Sequence, residues 1–346
     1  MRHFHHHLTH SFTAIGLACT LLGVAPASQA QAPQLPPPDA TSPVTLQLMQ
    51  GFPPAPDKIV RLANILKYPN VRWAAQHLRE LGPTATIWRG AAAPSALPAA
   101  QRALPDTLVF ADDKGATTTL ADWQKATYTD ALLVLHRGRV VYERHHIGMQ
   151  PQQPHVLWSM SKSLVGLLVT ELIQEGAIDA NAFIPRYLPE LATSAWADAT
   201  VQQTLDMTTG VKYAENFADP TSGVFQYLAA AGLQPAPPGI TVAKSMTEHL
   251  PTLQKDGEHG TAFAYKSVDT EVLGWLLQRV TGKSYATLLS ERIWSKLGTQ
   301  EDAYVFADAN GGQSTSVGVN ATLRDLGRLG EMLRSNGRFN GQQIVS

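Results

Sequence analysis

The stretch Trp158-Ser159-Met160-Ser161-Lys162-Ser163 decides how the rest of this sequence is interpreted. Leucines follow it at helical spacing, at positions Leu164, Leu167, Leu168 and Leu172. This spacing predicts an amphipathic helix that begins near Ser159 and ends at Gly176. A serine and a lysine three positions apart on a helix share one face, with Cβ atoms roughly 5–6 Å apart. Ser159 and Lys162 are therefore candidates for a nucleophile and its partner.

The position of this pair in the first helical turn favours the same chemistry. Unpaired N–H groups and the helix dipole make the start of a helix favourable for negative charge. A lysine near that positive end and among apolar neighbours can give up its proton and activate a serine. Because both residue types are common, the same spacing also arises by chance, roughly once in 300 residues. The pair alone therefore does not establish catalysis.

Length and composition limit the class of protein. The 346 residues suffice for one large or two ordinary domains, and the formal net charge is −1. Because there is no basic excess to neutralise phosphates, we expect no nucleic-acid partner. Cys19 is the only cysteine and lies near the N-terminus. We therefore expect no disulfide, no cysteine nucleophile and no cysteine-based zinc site.

The N-terminus is typical of a secretory signal peptide. A histidine-rich run precedes an apolar stretch at 12–24, and small residues at 28–32 offer cleavage sites. We predict a signal peptide at 1–30 and a periplasmic or secreted protein. The apolar stretch is too short for a comfortable membrane span, so stable membrane insertion is not expected. The histidines could instead form a metal-binding tract, and residues 16–19 only weakly resemble a lipoprotein box.

The sequence after the signal predicts a linker, an N-terminal extension and a main domain. Residues 31–56 are proline-rich, which predicts an extended linker. Residues 57–120 are assigned to the extension. Helix-like patterning occurs from Asp57 to Arg89, and Gly82-Pro83 stops it. Residues 121–346 form the main domain.

The main domain is predicted to combine a hairpin with many helices. Two β-rich runs at 131–136 and 139–144 flank a short glycine turn and predict the hairpin. The first run is nearly all apolar, so we expect both of its faces to be covered. Residues 178–250 are predicted to be helical and rich in loops. The loop at 211–220 mixes polar and aromatic side chains and could either wall a pocket or be solvated.

The last third of the chain predicts three more helices. The segment Phe263-Ala264-Tyr265-Lys266-Ser267 precedes a helix that ends at Gly282. Its apolar face consists of Val268, Val272, Leu273, Leu276, Leu277 and Val280. Further helices are predicted at 284–297 and from Thr322 to Gly337. After the turn at Asn340-Gly341, residues 342–345 are predicted to begin a strand.

Several blocks in this order resemble the class C β-lactamase-like serine hydrolases. The blocks lie at 158–163, 205–210, 263–269 and 282–298. This superfamily includes penicillin-binding proteins, D-aminopeptidases, EstB-type esterases and 6-aminohexanoate-dimer (nylon-oligomer) hydrolases, and the last group looks closest. The resemblance covers the chain from about Gly51 to its end. It implies an α+β fold, in which an antiparallel sheet is flanked by helices, with a helical subdomain between about 164 and 260.

The resemblance implies catalytic roles for three residues. Ser159 would be the nucleophile and Lys162 its partner. Tyr265 takes the place of the tyrosine in the family's Y-x-N motif, where a phenol shared with Lys162 can accept the serine proton and pass it on. Without the resemblance, Tyr265 could equally be a core aromatic residue. Tyr68-Pro69-Asn70 is a literal Y-x-N but precedes the nucleophile, so it is rejected.

The resemblance also implies substrate-binding residues. Ser267 stands where many family members carry Asn, and its shorter reach puts typical β-lactam handling in doubt. Tyr213 and Phe217, in the 211–220 loop, are the other expected substrate contacts. We expect the site at the junction of the sheet and the helical subdomain, beneath this loop.

The family's third motif, a K-T-G or H-x-G triplet on a late strand, is absent from the sequence. His259-Gly260-Thr261 does not replace it, because this triplet precedes Tyr265. In the family, that strand supplies one oxyanion-hole N–H and the nucleophile supplies the other. Losing one such donor costs about 10²–10³ in rate. We therefore expect that the sequence is a fragment of a longer protein, and that a chain ending at Ser346 would fold poorly and show little activity.

These observations lead to one hypothesis and one main alternative. The hypothesis is an exported serine hydrolase that cleaves amide or ester bonds of a small molecule through an acyl-enzyme on Ser159, without a metal or other cofactor. The alternative is a β-lactamase, or a penicillin-binding or β-lactam-sensing protein with slow deacylation. An α/β-hydrolase is disfavoured, because 312–316 matches only the start of G-x-S-x-G. The oligomeric state cannot be inferred from the sequence.

Overall fold

Short strands and helices alternate through residues 36–346, the part of the chain that the computed structural model describes. The strands are β1 (Thr84–Ile87), β2 (Val109–Ala111), β3 (Thr117–Thr119), β4 (Ala131–His136), β5 (Arg139–His145), β6 (His155–Val156), β7 (Ala303–Phe306), β8 (Val319–Ala321), β9 (Arg338–Phe339) and β10 (Gln342–Gln343). The helices are α1 (Asn70–His77), α2 (Leu120–Ala126), α3 (Ser161–Gln174), α4 (Val201–Leu205), α5 (Gly223–Ala230), α6 (Met246–His249), α7 (Ser267–Thr281), α8 (Tyr285–Arg292) and α9 (Leu323–Arg334).

Residues 37–346 pack as one compact unit that includes part of the predicted linker. Pro38–Thr41 forms a turn of 3-10 helix, and the buried Arg72 donates a 2.7 Å hydrogen bond to the Pro38 carbonyl. Leu48 lies in the hydrophobic core. This part of the chain thus differs from the extended linker that its prolines predict, because backbone carbonyls and apolar side chains bind it to α1 and the core. The predicted signal peptide lies outside the described residues.

The central sheet joins strands that are far apart in the sequence. Its order is β1-β7-β8-β6, and every neighbouring pair is antiparallel. β1 pairs with β7 from Thr84 opposite Phe306 to Ile87 opposite Ala303. The helix-like pattern predicted up to Arg89 is therefore wrong after Gly82, where a β-favouring Thr-Ala-Thr-Ile segment finds a buried partner strand.

The predicted hairpin is present as β4 and β5, which form a separate two-stranded sheet. Apart from His136, the residues of β4 are half-buried. The expectation that both faces of β4 are covered is therefore wrong. Helix α9 covers one side, where Gly327 approaches Leu133 so closely that an added Cβ would lie 2.6 Å from the leucine side chain.

Helices α3 and α7 pack against each other and carry the segments singled out in the sequence. As predicted, α3 is followed by a left-handed Gly176 (φ 75°), and α7 ends at Gly282 (φ 66°). Thr322 caps α9 by accepting a hydrogen bond from the backbone N–H of Asp325. The predicted helix at 284–297 consists of α8 followed by a 3-10 turn at Trp294–Lys296. Among the described residues, no helix is long and apolar enough to cross a membrane.

Candidate active site

Ser159 lies in a 3-10 turn, Trp158–Met160, immediately before α3. The preceding Trp158 has a left-handed backbone, with φ 44°, which is uncommon for a bulky residue. The surrounding structure holds this conformation: the backbone N–H of Leu157 donates a 2.8 Å hydrogen bond to the carbonyl of Val319. Ser159 is exposed, whereas the apolar face of the helix behind it is buried. Strained backbone of this kind is often found at functional sites.

Ser159 and Lys162 meet as their spacing predicts. The Nζ atom of Lys162 lies 3.1 Å from Ser159 Oγ and donates a hydrogen bond to it. The same Nζ donates a second hydrogen bond of 3.1 Å to the backbone carbonyl of Ser316. The lysine is half-buried. Two oxygen acceptors from different parts of the fold thus fix the position of the Lys162 side chain.

Tyr265 lies beside Lys162. Its ring centroid is 5.0 Å from Lys162 Nζ, a distance typical of a cation–π contact. The tyrosine is 43% exposed. Within residues 36–346, no hydrogen bond joins its hydroxyl to Ser159 or Lys162, so the contact is made by the ring. Such contacts commonly tighten only when substrate is bound.

Lys266, the residue after Tyr265, also holds this segment in place. Lys266 is buried, and its Nζ donates hydrogen bonds to the carbonyls of Thr209 at 2.9 Å and Ala264 at 3.5 Å. Thr209 belongs to the 205–210 block identified in the sequence. The lysine therefore connects two of the blocks that carried the resemblance.

Asp269, near the start of α7, reinforces the same connection. Its fully buried carboxyl accepts hydrogen bonds from the indole N–H of Trp196 at 2.9 Å and from the Thr209 hydroxyl at 2.8 Å. Burial raises the pKa of Asp269 to about 7, although these hydrogen bonds and nearby Lys266 oppose the increase. This carboxyl is a structural link beneath Tyr265.

His259, which was rejected as part of a third motif, has a different role in the structure. Its Nδ1 accepts a 2.9 Å hydrogen bond from the backbone N–H of Gly210, and its Nε2 lies 3.1 Å from Asp198. Because Nδ1 accepts, Nε2 must carry the proton of the neutral ring. Burial lowers the pKa of His259 and favours this neutral form.

The predicted 211–220 loop contacts the segment that follows Tyr265. Glu215 accepts a 2.7 Å hydrogen bond from the backbone N–H of Ser267. Ser267 itself is 2% exposed, and no hydrogen bond joins its side chain to Ser159 in the described structure. Its predicted contact with substrate therefore remains a prediction.

The two aromatic residues predicted to bind substrate differ in their surroundings. Phe217 is 64% exposed and packs edge-on against Phe225, with ring centroids 6.0 Å apart. Tyr213 is half-buried and packs edge-on against Tyr227 at 6.5 Å. Burial and the neighbouring Glu215 raise the pKa of Tyr213 above its ordinary value. Neither aromatic side chain hydrogen-bonds Ser159 or Lys162 in the described structure.

A cavity of about 690 Å³ lies under the 211–220 loop. Its lining includes Thr209, Tyr213, Ala214, Thr261, Ala264 and Lys266. Its volume falls in the range of small-molecule pockets. The residues on either side of Tyr265 line it, whereas Ser159 and Lys162 do not, so it adjoins the Ser159 site without containing it.

Ser316 is a part of the site that no sequence motif predicts. Residues 312–316 match only the start of a G-x-S-x-G motif. Ser316 contributes its backbone carbonyl, which no side-chain motif could reveal. A weaker signal was available in Glu271, which is, with Asp269, one of two carboxylates in α7 and which binds the segment containing Ser316.

The arrangement can support nucleophilic attack by a serine. An exposed hydroxyl at the start of a helix contacts a lysine amine, and a tyrosine lies within reach of that amine. In the part of the chain that is described, no group of three or more His, Cys, Asp or Glu side chains is arranged to hold a metal ion.

Comparisons with known proteins agree with this geometry. The β-lactamase family matches residues 110–346. The chain is 38% identical, over 281 residues, to the 6-aminohexanoate-dimer hydrolase of Paenarthrobacter ureafaciens. The aligned region covers 80% of this chain and 68% of that protein. The resemblance inferred from the sequence is thereby confirmed.

Solved structures give the same result for the fold. One described as "Putative 6-aminohexanoate-dimer hydrolase from Bacillus anthracis" has a TM-score of 0.78 and 31% identity, and covers 84% of this chain and 76% of its own. The octameric penicillin-binding protein homologue from Pyrococcus abyssi has a TM-score of 0.51 at 15% identity. This match covers 66% of this chain and 56% of the homologue. The second likeness concerns the fold alone. The predicted α+β fold is confirmed.

Proposed function

Because this chain belongs to the β-lactamase family and is a serine hydrolase of the amide or ester type, we propose that it acts through an acyl-enzyme on Ser159. The observation that carries the proposal is the 3.1 Å hydrogen bond between Lys162 Nζ and Ser159 Oγ. The second bond of Lys162, to the Ser316 carbonyl, keeps the amine beside the hydroxyl. Tyr265, next to the same amine, is the second proton carrier.

The proposed reaction has two halves. Ser159 Oγ attacks the substrate carbonyl carbon while its proton passes to Lys162 or to Tyr265. That proton is then given to the leaving amine or alcohol as its bond to the carbonyl carbon breaks. In the second half, water attacks the acyl-enzyme and transfers a proton back through the same groups. The acid leaves, and Ser159 recovers its hydroxyl.

The proposed substrate is a short linear amide of the 6-aminohexanoate kind, with carboxylic esters as a further class. The relative at 38% identity carries the name of such an amide hydrolase. Ser267, in place of the usual Asn, supports a substrate other than a β-lactam. The cavity beneath the 211–220 loop is of a size that suits a small molecule. Recognition would involve Tyr213 and Phe217, which belong to that loop.

We also propose that the protein is exported. The histidine-rich start, the apolar stretch at 12–24 and the small residues at 28–32 support a signal peptide at 1–30. The mature protein would then act in the periplasm or outside the cell, on a small molecule rather than on nucleic acid.

The test compares turnover with covalent modification. The purified protein is mixed with p-nitrophenyl acetate, nitrocefin and a linear 6-aminohexanoate dimer, and intact mass is followed during turnover. We expect hydrolysis of the ester and the linear amide, little reaction with nitrocefin, and a transient acyl adduct. The intact mass also shows at which residue the mature chain begins. An exported protein that retains residues 1–30 would contradict the prediction of a cleaved signal peptide.

Two serine variants decide which hydroxyl reacts. Ser159→Ala should lose turnover and the adduct, because no nucleophile remains. Ser163→Ala is the matched control, since Ser163 is an exposed serine four residues later, in the first turn of α3, and it should keep both. Undiminished labelling of Ser159→Ala would rule out the assignment. A stable adduct on Ser159 without turnover would instead indicate a binding or sensing protein.

A further inference from the structure

The loop that holds Lys162 consists of three buried polar residues, Ser314, Thr315 and Ser316, called here the 314–316 loop. Each is at most 1% exposed. The Ser316 carbonyl accepts the hydrogen bond from Lys162 Nζ. Any displacement of this loop would therefore displace the amine from Ser159. A buried polar loop needs partners for its donors, and these partners determine where the carbonyl lies.

One carboxylate satisfies most of these donors. Oε1 of Glu271 accepts the backbone N–H of Ser316 at 3.0 Å and the Ser314 hydroxyl at 3.4 Å. Its Oε2 accepts the backbone N–H of Thr315 at 3.1 Å and the Thr315 hydroxyl at 2.8 Å. Glu271 is itself 4% exposed. Hydrogen bonds to a charged acceptor are stronger than neutral ones, so this carboxylate fixes the loop on both oxygens.

Tyr227 adds a second connection to the same carboxylate. Its hydroxyl donates to Glu271 Oε1 at 3.1 Å and lies 2.5 Å from Ser316 Oγ. A phenol has one proton to donate, so the Ser316 hydroxyl must donate to Tyr227. The proton order Ser316 to Tyr227 to Glu271 follows. The side chain and the backbone of Ser316 are thus both bound to one carboxylate.

The packing of α7 matches this arrangement. Gly274 lies three residues after Glu271, and a Cβ at this position would be 2.3 Å from the Thr315 hydroxyl. The loop can therefore lie directly against the helix backbone. Because Tyr265 immediately precedes Lys266 at the start of α7, one helix positions both the tyrosine segment and the carbonyl that holds Lys162.

We propose that Glu271 is a positioning residue for catalysis: it holds the 314–316 loop so that the Ser316 carbonyl keeps Lys162 Nζ beside Ser159. This role rests on the function proposed above for Ser159 and Lys162. Glu271 does not touch the reacting atoms and acts only through the loop.

The decisive variant is Glu271→Gln. A glutamine has one acceptor oxygen, so in either orientation its NH₂ group opposes the N–H of Thr315 or that of Ser316. We expect the loop to shift and kcat to fall by roughly 10–100-fold, since a misplacement of about 1 Å can cost 10²-fold. The rate of Ser159 labelling by a fluorophosphonate should fall in parallel, while KM stays within about twofold of wild type, because the loop does not line the substrate cavity.

Asp325→Asn provides a matched control for the loss of a buried carboxylate. Asp325 is fully buried and also accepts two backbone N–H groups, those of Gln300 at 2.7 Å and Glu301 at 3.0 Å. It does not contact the 314–316 loop. This variant should lose stability, measured as Tm, while keeping kcat. If kcat of Glu271→Gln matches that of Asp325→Asn, the positioning role is wrong.

A pair of tyrosine variants tests the positioning role of Glu271 even if Glu271→Gln does not fold. Tyr227→Phe removes the hydroxyl that connects Ser316 to Glu271 and should lower kcat severalfold. Tyr285→Phe removes a buried hydroxyl that has no hydrogen-bond partner in residues 36–346 and should leave kcat unchanged. Equal kcat values for the two would overturn the proposal. If wild-type protein is not labelled at Ser159 at all, the function proposed for Ser159 is wrong, and the positioning role of Glu271 is then wrong as well.

Discussion

The candidate site has a local half and a long-range half. The local half is Ser159 and Lys162, which are three residues apart and meet at 3.1 Å because one helix begins there. The long-range half is the Ser316 carbonyl, which is 154 residues away from Lys162, and Tyr265. Helical geometry alone nearly fixes the first half. The second depends on a network of buried polar groups on α7, so the two halves should respond differently to substitution.

The largest effect is expected in the local half. Lys162→Met keeps much of the side-chain length but removes the amine that holds and activates Ser159. Because general-base groups typically contribute 10²–10⁴ in rate, we expect kcat/KM for p-nitrophenyl acetate to fall by about 10³-fold. Lys67→Met, at an exposed position of the N-terminal extension, is the control and should keep full activity. A Lys162→Met protein with more than a tenth of wild-type activity would show that the local half is not the proton-transfer centre.

A smaller effect is expected from Tyr265→Phe. The ring that contacts Lys162 remains, so the variant tests the hydroxyl alone, and kcat should fall by about 10²-fold. Tyr68→Phe is its control, because Tyr68 belongs to the rejected Y-x-N and its hydroxyl donates to Thr41 rather than to the site. If the two variants keep equal kcat, Tyr265 acts only through its ring, and the proton must travel through Lys162.

The sequence predicted those parts of the molecule that depend on local pattern. Apolar spacing and capping signals predicted α3, α7 and α9, and a glycine turn predicted the β4–β5 hairpin. The contact of Ser159 with Lys162 followed from helical spacing. The pairing of Tyr265 with this site came only from the resemblance of several sequence blocks to a family. No spacing argument could connect residues a hundred positions apart.

The parts that could not be predicted depend on pairing across the fold. β1 is four residues long, and it is stabilised by β7, which lies more than 200 positions later. The Ser316 carbonyl has no side-chain signal. The half-burial of β4 could not be inferred from its apolar run, because burial depends on what packs against a strand. Two acidic residues in α7, Asp269 and Glu271, are the sequence feature that indicated a polar network within this helix.

The smallest expected effect concerns the support beneath Tyr265. Burial raises the pKa of Asp269 to about 7 in the folded protein, whereas an aspartate in the unfolded chain has a pKa of about 3.9. Between these values the folded state binds more protons than the unfolded state. The free energy of unfolding therefore decreases as pH rises through this window, by at most about 1.4 kcal/mol per pH unit, and changes no further above it.

Asp269→Asn removes this pH dependence while keeping the contacts. The amide oxygen can accept the Trp196 N–H, and the amide NH₂ can donate to the Thr209 hydroxyl. Urea unfolding at intervals from pH 4 to pH 8 should therefore show the variant gaining stability relative to wild type up to about pH 7, followed by a constant difference. The exposed Asp198 is the opposite case, because a hydrogen bond from Lys255 lowers its pKa. Asp198→Asn should lose stability relative to wild type only as pH rises toward about 4, and the difference should be constant above about pH 5. Parallel pH curves for Asp269→Asn and wild type would mean that the carboxyl is ionised in the folded state, and that the support beneath Tyr265 carries a charge.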